Sequence, residues 1–236
     1  MALAATGSPR LGGGVSTDVD EAIASVPGRA AATVDLHWIP LGAGQHVVRV
    51  SGRAFEAVSA LLQRRRRRAL FHSALTITVP EGRFVVEMGP VPDAHGERRG
   101  VVAEGPVGTR WAGRFRVFRY ENRCWRDGLI PDAAEAVATV SIPVEPACAR
   151  RLLDLVRQVP TPVWGRDELD AGEMWNSNSV ISWLLRRGDL DAVPIRPPPG
   201  GRAPGWDAGL VAAARGEGGR GIGGDRRSGE RAAVWP

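Results

Sequence analysis

Three observations predict an α+β fold, an antiparallel-rich sheet packed by helices. The stretch ALFHSALTITVPEGRFVVEM reads as strand, Pro-Glu-Gly turn and strand, the clearest hairpin in the chain. Further β-branched runs, among them ATVDLHWIPL, VVAEG and AVATVSIPV, are divided by Gly- and Pro-containing turns. Two later stretches, EPACARRLLDLV and SNSVISWLLRR, carry apolar residues at helical spacing.

Taken in order, ATVDLHWIPL and QHVVRV are strands around the turn GAG. Phe55, Val58, Leu61 and Leu62 then recur at helical spacing, so 53–67 reads as a helix. It finishes in Arg64 to Arg68, where cations suit the partial negative charge of the last carbonyls. The hairpin follows, its tight turn placed at Glu81-Gly82. VVAEG, RFRVFRYE and AVATVSIPV supply three further strands. Pro146 opens a helix whose buried stripe is Leu152, Leu153 and Val156. The Pro-broken connection VPTPVWGRDELDAGEMW is too irregular for a regular element. The next helix buries Val180, Ile181, Leu184 and Leu185 and stops at Gly188. RPPPGGRAPGWD after it is extended or turned, because serial Pro cannot be helical.

This gives one domain over 31–210. A Gly-, Ala- and Ser-rich leader, 1–30, precedes it, and a low-complexity Gly/Arg-rich tail, 211–236, follows; both read as disordered. An apolar fraction of 43% supports a packed core within the 236 residues. The formal charge is +5, yet every basic residue is Arg and none is Lys. With abundant Ala, Gly and Pro, that pattern suggests coding bias more than selection for phosphate contacts, which weighs against a nucleic-acid partner. No segment approaches the roughly 20 apolar residues of a membrane span, and no secretory leader is evident. Cys124 and Cys148 form no CxxC pair, so the expected setting is a reducing, cytoplasmic one. Nothing in the sequence sets the oligomeric state.

The chemistry concentrates in GEMWNSNSVISWLL, 172–185, where two Asn and two Ser stand at the mouth of an apolar helix. Asn176 is suited to cap it. Ser177 then falls in the first turn, facing unpaired amides and the positive end of the helix dipole, which favours a nucleophile whose anion needs stabilising. Its spacing to Val180, Ile181 and Leu184 turns it toward the sheet. On HSALTITV, alternation puts His72, Ala74, Thr76 and Thr78 on a polar face and Ser73, Leu75, Ile77 and Val79 on an apolar one. Glu87 shares the His72 face of the hairpin, opposite Thr76 and roughly 13 Å along from His72 at about 3.3 Å per residue.

A strand His followed by N-S-N-S-V at a helix start resembles the permuted papain-like superfamily, which includes NlpC-type peptidases, lecithin–retinol acyltransferases and PPPDE-type peptidases. It also resembles an uncharacterised bacterial branch with an N-S-N-[ST] motif. The resemblance spans about 32–207, with His72 at the strand His and Ser177 where the family has Cys. It implies a permuted papain-like frame and a hydrolase or acyltransferase acting on an amide, ester or thioester of a small-molecule or peptide substrate. Ser177 is then the nucleophile, His72 the base, and Glu87 or another polar residue orients the imidazole. Asn176, Asn178, Ser179 and the first-turn amides hold the oxyanion or substrate. A Ser hydroxyl does not ionise in the accessible range as a Cys thiol does. The departure therefore means either serine chemistry on this frame or a site that only binds. The alternative is a catalytically inactive peptide- or acyl-binding module, and a third reading is an Arg-driven nucleic-acid binder.

Trp175 and Trp206 are candidate walls for an apolar or sugar-like ligand. Trp164 precedes the charged cluster Arg166, Asp167 and Glu168. Cys148 lies in the first turn of a helix as a rival nucleophile, and Cys124 is placed at a strand end. His37, His46 and His95 form no metal-ligand spacing, and GPVGTRWAGR has neither the Walker nor the GxGxxG pattern. No metal and no cofactor is expected.

Overall fold

The structure, a computed structural model, describes residues 32–42, 61, 64, 66–91, 100–130 and 133–218. The strand expected at QHVVRV, nearly all of the helix expected at 53–67, and the 1–30 leader lie outside these residues. Arg66 to Arg68 are exposed.

An antiparallel sheet is packed on one face by three helices. Its strands are β1 (Ala32–Pro40), β2 (Ala69–Val79), β3 (Gly82–Pro90), β4 (Val101–Pro106), β5 (Arg119–Arg126) and β6 (Ala138–Val144), in spatial order β4-β5-β3-β2-β1-β6. A two-residue β7 (Gly201–Arg202) adds in parallel beside Ala69 and Leu70 of β2. The helices are α1 (Pro146–Val156), α2 (Ser177–Arg187) and α3 (Trp206–Gly218).

Strand alternation separates two cores. Leu36 and Trp38 of β1, Leu75 and Ile77 of β2, and Phe84 and Val86 of β3 join the helices' Leu152, Val180, Ile181 and Leu184. Ile39, Ala74, Val85 and Ile130 form a smaller cluster on the other face. The expected stripes of both helices are buried. Pro146 occupies the first turn of α1, where a missing N–H costs nothing, and Gly188 caps α2.

The hairpin's loop is Pro80-Glu81, since Val79 pairs with Gly82. Thr76 therefore lies opposite Val85, not Glu87, and Glu87 pairs with Arg123 of β5. The face assignment of Glu87 is unchanged, because the register moves by an even number of residues.

RFRVFRYE is a strand only from Arg119 onward; 112–114 and 116–118 are short 3-10 turns. The stretch has a strand's alternation, but among the described residues its ladder is carried on only by Val107 N donating to Phe118 O at 2.8 Å. Both neighbours end in proline at that level, with Pro90 opposite Tyr120 and Pro106 opposite Arg119. The strand runs on through ENRCWR, so Cys124 sits within β5 and not at a strand end. It is buried, and burial pushes its thiol up to about 12. At the other end, α3 carries the chain past residue 210, where the sequence places the start of the tail, to Gly218.

Candidate functional site

The mouth of α2 is a dense polar network closed on itself. Asn176, in extended conformation, is the N-cap: its Oδ1 accepts from the Asn178 amide at 2.9 Å. The Asn176 amide donates to Ser179 Oγ at 3.1 Å, completing a reciprocal capping box. Asn178, fully buried, reaches further. Its Nδ2 donates to Phe71 O of β2 at 3.0 Å and to Pro204 O at 2.9 Å, and its Oδ1 accepts from Ser73 Oγ at 2.9 Å. Asn176 Nδ2 donates to the same Pro204 carbonyl at 2.8 Å. Ser179 Oγ donates to Gly205 O at 2.7 Å and Ser182 Oγ to Trp206 O at 2.7 Å.

These bonds join α2 to β2 on one side and to the turn that opens α3 on the other. The joint is tight enough to require glycine twice. Gly205 has a φ of 84°, and a Cβ there would meet the Asn176 side chain and Met174 O at 2.7 Å. A Cβ on Gly209 would meet Ser179 O and Ser182 Oγ at 2.1 Å, so α3 crosses α2 at backbone range. The Gly205 amide donates to Glu173 at 2.7 Å; burial nevertheless holds the Glu173 carboxyl above its usual range.

Ser177 is buried, yet its hydroxyl makes no hydrogen bond among the described residues. His72 is not beside it. Asn178 meets β2 through Ser73, so α2 covers the Ser73 face, and alternation points His72 to the opposite face, level with Ile39 of β1. The expected nucleophile and base are thus separated by the sheet. Spacing turns Ser177 toward the sheet, and Ser177 is buried, but the apolar face that receives the helix cannot also be the face carrying His72. Burial depresses His72 from the ordinary 6.5 to about 4.

Glu87 is not paired with His72 either. Arg123 bonds Glu87 at 3.1 Å and the fully buried Glu121 at 3.0 Å, with a further bond to Pro90 O at 3.0 Å. Elsewhere on this face, His37 bridges Thr76 Oγ1 at 2.9 Å and Thr139 Oγ1 at 3.1 Å. Burial lowers its pKa, with Asp35 opposing. Trp175 and Trp206 are core residues, not walls of an open pocket. Both are buried, and Trp206 lies 5.0 Å from the Trp38 ring. Cys148 approaches Gly188 O at 3.5 Å, joining α1 to the end of α2. Among the described residues no group of three His, Cys, Asp or Glu is placed to hold a metal.

Two features escaped sequence reasoning. Asn122 is fully buried on the core face of β5, and neither amide atom has a partner among the described residues. The only signal was a polar residue between Tyr120 and Cys124 at strand spacing. The second is the long loop from β4 to β5, where Trp111, Phe115, Val117 and Phe118 are 63%, 48%, 78% and 47% exposed. Its signal was RWAGRFRVFR, whose aromatic and Arg residues looked like strand alternation. Trp164 and its charged neighbours anchor this loop: Arg110 binds Glu168 through two 2.8 Å bonds, and Arg166 donates to Gly108 O at 2.6 Å.

No family model, curated protein or solved structure matches the chain.

Proposed function

We propose that the chain is a binding module on an α+β platform, without a hydrolytic centre. The observation that carries this reading is the engagement of Asn176, Asn178 and Ser179 in buried bonds to backbone carbonyls and Ser73. Both Asn178 amide hydrogens and the Ser179 hydroxyl are spent on backbone carbonyls, which leaves one Asn176 N–H to orient toward a substrate carbonyl, and an oxyanion hole needs such donors preset. The separation of His72 from Ser177 supports the same reading, because a base must reach the proton it removes. The contact surface is the β4–β5 loop, since large apolar side chains clustered in solvent mark an interaction site. Two free cysteines fit a reducing, cytoplasmic setting.

The hydrolase reading on a permuted papain-like frame keeps one support. Ser177, alone among the four residues of the motif, has an unengaged side chain at the dipole's positive end. Assays of p-nitrophenyl esters, amides and thioesters on the full chain and on Ser177→Ala separate the two. The binding-module reading expects no turnover in either protein. Turnover that disappears in Ser177→Ala overturns it.

A further inference from the structure

We infer that the β4–β5 loop is a docking site for an anionic lipid surface. This assignment rests on the binding-module reading and names its partner. From Gly105 to Arg119 the sequence is GPVGTRWAGRFRVFR, with four Arg and no acidic residue. Every residue from Arg114 to Phe118 is exposed. Apolar and cationic side chains are interleaved at the tip: Phe115, Val117 and Phe118 beside Arg114 and Arg116. That combination suits the boundary of a bilayer. Apolar groups enter the acyl margin while Arg stems lie along it and their heads meet phosphates.

The loop is held ready for contact. Arg119 donates to Gly113 O at 2.5 Å and to Glu104 at 3.2 Å, closing the base of the loop over a cleft of about 230 Å³ lined by Glu104, Arg110 and Arg119. Arg110 fastens the rising limb to Glu168. Thr109 Oγ1 accepts from the Ala112 amide at 3.2 Å, and two 3-10 turns shape the tip. The two Arg at the base are thus paired within the protein, Arg114 stacks over the Trp111 ring, and the exposed Arg116 lies beside the apolar tip. A preformed loop loses little conformational freedom on docking.

Charge and shape select among occupants. A second copy of the same loop brings Arg against Arg, which like-charge repulsion opposes. Single-stranded nucleic acid binds through open aromatic faces. Here the Trp111 ring already carries the Arg114 guanidinium 4.5 Å from its centroid and the edge-on Phe115 ring at 5.7 Å. Val117, among the most exposed apolar side chains at 78%, has no π-face to stack a base. An anionic bilayer takes up the exposed Phe115, Val117 and Phe118 side chains together with the positive charge of the stretch around them.

The test is sedimentation of the full chain with phosphatidylcholine vesicles, with and without phosphatidylserine. The same mixtures are followed for ester turnover, and a single-stranded oligonucleotide is offered in parallel. The expected result is pelleting only with phosphatidylserine, weakened by salt, and a loss of about tenfold or more in affinity for Val117→Ser/Phe118→Ser at unchanged thermal stability. Absence of pelleting, equal pelleting with neutral vesicles, unaltered affinity of the double variant, or tighter retention on the oligonucleotide each overturns the lipid assignment. Ester turnover, whatever the vesicles do, overturns the binding-module reading instead.

Discussion

The entrance of α2 and the β4–β5 loop invert each other. At the entrance, polar side chains are buried and three of the four in the Asn/Ser motif are hydrogen-bonded. In the loop, large apolar side chains stand in water. Each arrangement runs against the ordinary preference of its residues, but the causes differ. Burial of Asn178 is compensated locally by three hydrogen bonds. Exposure of Val117 and Phe118 has no compensation within the described residues, which is what the proposed docking contact would supply. A cluster of catalytic-looking residues can therefore be architecture, while a stretch with no motif presents the surface.

The largest effect expected from this contrast is at Asn178. Asn178→Ala removes three buried bonds and takes this partner from the Ser73 hydroxyl and the Phe71 carbonyl, while Pro204 O keeps Asn176, a loss of about 2–4 kcal/mol. Urea unfolding measures it, and a loss below about 1 kcal/mol would place the network's weight elsewhere. His72 sharpens the contrast because it is a titratable group whose pKa burial lowers. Its folded-state value, about 4, lies below the unfolded 6.5. As pH falls, the unfolded chain takes up the proton first. Stability from this group is therefore whole above about pH 6.5 and declines through the window down to about pH 4. By pH 5 the decline is about 2 kcal/mol. His72→Gln flattens that part of the profile in denaturant melts at pH 7 and pH 5. The smallest effect belongs to the loop. Val117→Ser/Phe118→Ser changes folding stability by no more than about 0.5 kcal/mol, because the side chains are already in water. A larger loss in a thermal melt would mean the tip packs against the domain.

Much of the fold is legible in the sequence because its signals are local. The β2–β3 hairpin, both helical stripes and the Gly188 stop follow from residue period and turn chemistry over a few residues. Where partners decide, reading fails. RFRVF alternates like a strand, but the neighbouring strands end at Pro90 and Pro106, and past the Val107–Phe118 bond the stretch folds into 3-10 turns. The site was half legible. Asn176 was recognisable as a cap and Ser177 as a first-turn residue. The sheet face met by α2 depended on Asn178 reaching Ser73, a bond spanning 105 positions that no spacing rule encodes.

The entrance of α2 has a consequence for the order in which the protein is made. Its polar side chains are satisfied by Pro204, Gly205 and Trp206, which lie 24–28 residues downstream of their donors. At the ribosome this stretch takes about 1–5 s to add. Throughout that interval the helix has emerged or is emerging with Asn178 lacking the Pro204 carbonyl, Ser182 lacking the Trp206 carbonyl and Trp38 lacking its neighbour Trp206. Asn178 can already hold β2 through Phe71 and Ser73, so the late turn APGW is the piece that completes the network and fastens α2 to α3.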